Sequence, residues 1–135
     1  MQHKLEKPVQ GTIHTEKYQC TIVWRNGQII ADEPITSGGK DTGPDPFTLL
    51  LSALASCSLI TMRMYADRKC WDIPELVVNV NLYQELKENN LITIIDREIL
   101  FPGTVSEEQQ VRLLVVAKQC PVAKILENEV TIHTY

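Results

Sequence analysis

Residues 47–62 contain no charged side chain, and leucine and alanine recur on nearly every face of a helix drawn through them. Asp45 and Pro46 stand immediately before this run, and Asp67, Arg68 and Lys69 follow it. Proline fits the first helical position, where its missing N–H costs nothing, and an aspartate before it is a good N-cap. Basic residues in a last turn complement the helix dipole. The stretch 46–69 therefore reads as one long helix that has to be covered on all sides, the central element of the core. A single cysteine, Cys57, sits in its middle.

The remainder of the chain has to supply that cover. At 135 residues it suits one domain over 1–135, large enough for a substantial core and small enough that burial against a partner would help. A net charge of -4, with no run of like charges, lacks the basic stripe that nucleic acid requires. The uncharged run is shorter than the roughly 20 residues of a membrane span. The N-terminal MQHKLEKPVQ has no apolar stretch of the signal-peptide kind. A cytoplasmic protein with no membrane and no nucleic-acid partner is the expectation.

Tyr18, Cys20, Ile22 and Trp24 alternate with polar or exposed-type residues, the pattern of a half-buried strand that places Cys20 in the core. Asn26-Gly27 then predicts a tight hairpin turn and 28–31 the return strand. Residues 9–15 add a strand before it, giving a three-stranded meander. The connector 34–41 contains Gly38-Gly39-Lys40 but not the spacing of a phosphate loop, so it reads as a flexible turn bordering the site. Pro74 stops the long helix from resuming.

Residues 75–86 and 91–101 are rich in β-branched side chains and joined by Lys87-Glu88-Asn89-Asn90, a second hairpin. Ser106 followed by Glu107 and Glu108 opens an amphipathic helix with Val111, Leu114 and Val115 at helical spacing. Pro121 restarts a short helix through Leu126 with Cys120 as its cap, a position where free N–H groups and the dipole favour thiolate. Residues 129–135 alternate again and predict a last strand, on which His133 is a strand residue. The order is sheet, helix, sheet, helix, an α+β chain.

Four cysteines, Cys20, Cys57, Cys70 and Cys120, show no metal-ligand spacing, and His3 and His14 have no partners in sequence that suggest chemistry; no cofactor is expected. Taken alone Cys57 is a core cysteine, and Cys70 in the exit loop is incidental. Cys57 with Cys120 is more informative, because both lie on segments expected to pack together. Such a pair can pass through a sulfenic acid to a disulfide, with an external dithiol closing the cycle.

The segment GPDPFTLLLSALASCSLITMRMYADRK, the later QCPVAKIL, and the preceding ADEP, GG and DTGP together resemble the OsmC/Ohr family of thiol-dependent hydroperoxide reductases, over roughly residues 18 to 135. The likeness is greatest to its OsmC-like branch. It implies antiparallel sheets around long central helices in an intertwined homodimer, with sites near the subunit interface. It implies that Cys57 is the peroxide-attacking cysteine and Cys120 the resolving one, and that the substrate is an organic hydroperoxide in oxidative-stress defence. The family's activating arginine lies on an early strand, where Arg25 is the nearest candidate. Its glutamate, in an N-P-E pattern, is replaced by Phe47 in Asp45-Pro46-Phe47. Two other readings stand beside this one: the same fold holding a small apolar ligand beside inert thiols, and a fixed Cys57–Cys120 staple worth about 4 kcal/mol, which a reducing cytosol disfavours.

Overall fold

The computed structural model describes residues 2–135. Within the length read as one domain the backbone gathers into two compact units, one ending at Leu50 and one running from Leu51 to Tyr135.

The first unit is a meander of β1 (Gln10–Ile13), β2 (Cys20–Trp24) and β3 (Gly27–Ala31), antiparallel in that order. Cys20 faces Ile13 across one ladder and Ala31 across the other. The expected hairpin is present, but its turn lies one residue earlier than Asn26-Gly27 suggests. Trp24 pairs with Gly27, so Arg25 and Asn26 form the turn, and none of Arg25, Asn26 and Gly27 has a positive φ. Gly27 is required for another reason: a Cβ there would stand 2.7 Å from the Trp24 ring. Tyr18, expected on the strand, precedes it with a positive φ of 68°.

After β3 the chain folds around one buried carboxylate. Asp32 accepts hydrogen bonds from the Thr42 hydroxyl at 2.6 Å and from the backbone N–H groups of Glu33, Lys40 and Thr42. These donors hold its pKa at about 2, the Thr42 hydroxyl contributing most. The loop closes back on β3, where Asp32 N–H donates to the Pro44 carbonyl at 3.1 Å. The glycine-rich connector is thus an ordered turn built on Asp32. Asp45 then caps the long helix, accepting the Thr48 N–H at 3.0 Å and the Thr48 hydroxyl.

That helix, α1 (Pro46–Arg68), starts at Pro46 as expected. It is 23 residues long, longer than its uncharged run, and by length and composition alone could cross a membrane. It is not covered on all sides. Its buried residues are Leu54, Ser58, Met62 and Ala66, one stripe at four-residue spacing. Phe47, Ile60 and Met64 are 59%, 54% and 61% exposed.

The second unit adds β4 (Val77–Lys87) and β5 (Asn90–Leu100), an antiparallel pair joined by Glu88 and Asn89. Both turn residues have positive φ, 52° and 65°, the requirement of the primed two-residue turn. Helix α2 (Glu107–Ala117) begins in a capping box: Ser106 accepts from the Gln109 N–H, and Gln109 returns a bond to the Ser106 N–H. It buries Leu113, Val116 and Ala117 and leaves Val111, Leu114 and Val115 exposed, so the inward face is not the one the spacing suggests. The reason is packing: Leu113, Val116 and Ala117 close on Met62, Ala66 and Ile73 to form the main core cluster. Full burial of side chains of the Met62 and Leu113 type contributes about 1.5–3 kcal/mol each. Helix α3 (Pro121–Leu126) follows with Cys120 as its N-cap. The strand expected over 129–135 is not formed among the described residues, which are exposed there and pair with no ladder.

Candidate functional site

Cys120 is fully buried between the end of α2 and the start of α3, in a second small core cluster with Leu54 and Ala123. Cys57, Val80, Ile95 and Val122 pack against that cluster. All four cysteines are free thiols, and the two that sequence reasoning paired are the two brought together. Cys57 is half-buried and packs against the cluster that holds Cys120.

The surroundings of the Cys120 sulfur are polar in an otherwise apolar pocket. The Ala123 N–H donates to Sγ at 3.3 Å, Ser58 Oγ stands 3.9 Å away, and Arg97 Nη1 lies 3.9 Å away. Burial pushes the Cys120 pKa up. The Ala123 N–H, the Cys57 thiol, the Ser58 hydroxyl and the Arg97 charge outweigh it, and the net shift is downward from the ordinary thiol value.

Arg97 reaches this point because it sits on the inward parity of β5 with Ile95 and Ile99. Its Nη1 donates to Ser58 Oγ at 2.9 Å and to the Ala117 carbonyl at 3.2 Å. Ser58 in turn donates to the Leu54 carbonyl at 2.7 Å, a bond within α1. A cavity of about 330 Å³ opens beside Arg97, lined also by Leu54, Thr93, Ile95, Ala123, Leu126 and Glu127.

Arg25, the sequence candidate for the activating arginine, lies exposed in the β2–β3 turn of the first unit. The guanidinium beside Cys120 inside the second unit is that of Arg97. Sequence reasoning missed it and Ser58. The available signal for Arg97 was a charge on the apolar parity of an alternating strand. Phe47 lies exposed in the first turn of α1. Among the described residues no group of three His, Cys, Asp or Glu is placed to hold a metal.

The fold and the site together define an α+β protein built around two juxtaposed, reduced cysteines. The family profile of OsmC-like proteins matches residues 38–134, and the chain belongs to that family. Among solved structures, a protein of Psychrobacter arcticus 273-4 superposes with a TM-score of 0.74 at 23% identity, covering 93% of this chain and 91% of that one. An OsmC-like protein of Mycoplasma pneumoniae gives 0.69 at 24% identity, covering 93% and 89%. The organic hydroperoxide resistance protein OsmC of Legionella pneumophila gives 0.67 at 15% identity, covering 91% of each. These likenesses agree with the α+β, OsmC-like fold expected from the sequence. No curated protein matches the chain.

Proposed function

We propose that this protein is a cysteine-based peroxidase that reduces organic hydroperoxides as part of oxidative-stress defence. The observation that carries the reading is the packing of Cys57 against the buried cluster of Cys120, both thiols free, with Leu54 and Ala123 of that cluster also lining a cavity. Access supports the division of roles: Cys57 is half-buried and open to a substrate, whereas Cys120 has no exposed surface. Cys57 attacks the peroxide O–O bond and becomes a sulfenic acid, Cys120 condenses with it to a disulfide, and an external dithiol restores both thiols. The Legionella pneumophila relative, an organic hydroperoxide resistance protein, supports the substrate class.

We infer further that the working form is a homodimer in the reducing cytoplasm. Ile60 and Met64 on α1, and Ile132 at 84% exposure, are apolar surface of the kind a second copy would cover.

The test is one equivalent of an alkyl hydroperoxide added to reduced protein, with products mapped by mass spectrometry. Wild type should form a Cys57–Cys120 bond, Cys120→Ser should accumulate sulfenic acid on Cys57, and Cys57→Ser should leave the peroxide intact. Peroxide left unconsumed by wild type would remove the peroxidase reading.

A further inference from the structure

Arg97 is half-buried, and its Nη1 finds only neutral oxygen acceptors, Ser58 Oγ and the Ala117 carbonyl. Among the described residues no carboxylate lies within ion-pair distance of it; the ion pair present, Lys40 with Glu16, is exposed and in the first unit. A partly buried guanidinium without a counter-charge is costly. The one group within its reach that can become negative is Cys120 Sγ, at 3.9 Å.

We propose that Cys120, held as the resting thiolate by Arg97, is the base that takes the Cys57 proton, so that the buried sulfur activates the accessible one. The inference rests on the dithiol reading and reverses where that reading would put the resting charge. Ser58 is a positioning residue, since it accepts from Arg97 and fixes the guanidinium between α1 and β5.

The steps balance. The Cys57 proton passes to Cys120, and the Cys57 thiolate attacks the terminal oxygen of R–O–O–H. The O–O bond breaks, leaving a Cys57 sulfenic acid and an alkoxide that takes a proton from water to become the alcohol, with hydroxide left behind. The Cys120 sulfur attacks the sulfenic sulfur, and its proton leaves with the expelled hydroxide as water, forming the disulfide. Two thiol sulfurs are oxidised by two electrons and the peroxide is reduced to alcohol and hydroxide.

The titratable or charged groups facing Cys120 are Cys57 from α1 and Arg97 from β5, with Glu127 after α3 in the same cavity as Arg97. From β4 and α2 the neighbours are Val80 and the Ala117 carbonyl region, which do not titrate.

The test needs no peroxide, so its failure is separate from failure of the peroxidase reading. Reduced protein is titrated by ultraviolet thiolate absorbance, and the rate of Cys57 alkylation by iodoacetamide is followed by peptide mass spectrometry against pH. The thiolate signal at neutral pH should persist in Cys57→Ser and vanish in Cys120→Ser, where Cys57 alkylation should fall about 100-fold, the low end of a general base's contribution. Arg97→Met should move the titration and the alkylation profile to higher pH, and Arg97→Lys should restore part of the shift. The proposal is overturned if the signal survives in Cys120→Ser, or if folded Arg97→Met or Arg97→Lys titrates as wild type does.

Discussion

Arg97 on β5 and Ser58 at the middle of α1 are joined by a 2.9 Å hydrogen bond from Nη1 to Oγ. The bond ties the hairpin to the long helix beside Cys120, and the Ser58 hydroxyl in turn donates a hydrogen bond to the Leu54 carbonyl. A serine in a helix interior is ordinarily a weak choice, because its hydroxyl competes for backbone bonds. Here it is the acceptor that a half-buried guanidinium needs.

Ser58→Ala should therefore destabilise the fold by about 1–3 kcal/mol, the cost of leaving a buried donor without its acceptor. Urea unfolding is the measurement, with a lower midpoint and an unchanged slope expected. A variant as stable as wild type would mean that Ala117 alone satisfies the arginine.

Asp32 gives the chain an acid-sensitive turn. Its carboxyl titrates at about 2 in the folded state against a model-compound value of 3.8, so the unfolded chain binds the proton more tightly. The stabilisation is therefore complete above the unfolded value and is lost as pH falls from about 4 through about 2. Stability of wild type and Asp32→Asn, compared by urea unfolding at pH 7 and at pH 2, should differ clearly at the first and converge at the second. A gap independent of pH would remove the carboxylate as the cause.

Two glycines in the first unit should respond in opposite ways to alanine. At Gly43 a Cβ would stand 1.9 Å from the Ile30 carbonyl oxygen, so the loop that Asp32 holds against β3 has to move. At Gly11 the nearest neighbour is the Ile22 Cδ1 at 3.4 Å, an ordinary contact. Gly43→Ala should lower stability by more than about 1 kcal/mol, and Gly11→Ala should stay within about 0.5 kcal/mol of wild type. Thermal unfolding of the two variants side by side checks both.

Much of this was legible in the sequence where local chemistry is decisive. Asp45-Pro46, Ser106 with its capping box and Cys120-Pro121 each marked a helix start, because capping depends on a few adjacent residues. The pairing of Cys57 with Cys120 was legible too. What failed depended on tertiary partners. The run VRLLVVA is apolar on more than one face, so periodicity could not choose Leu113 and Val116 over Leu114 and Val115; the Met62 cluster chose. The alternation of 129–135 names no strand to pair with. Arg97 was hidden because parity becomes meaningful only once β5 is known to lie against α1. The β2–β3 turn falls one residue earlier than Asn26-Gly27 suggests because Trp24 pairs with Gly27 in the ladder, a register that local turn chemistry does not fix.

The cap of α3 is a sulfur atom. A serine or aspartate oxygen at a cap stays chemically unchanged, but a cysteine thiolate gives up its negative charge and one of its three lone pairs when it forms a disulfide. The Ala123 N–H, which donates to Cys120 Sγ at 3.3 Å, meets a weaker acceptor once that sulfur has lost its charge to a disulfide. In a helix of six residues, one such cap is a large share of what holds the first turn. The oxidation state of a single buried atom is thereby coupled to the fraying of a backbone segment, and α3 acts as an indicator of what has happened at Cys120.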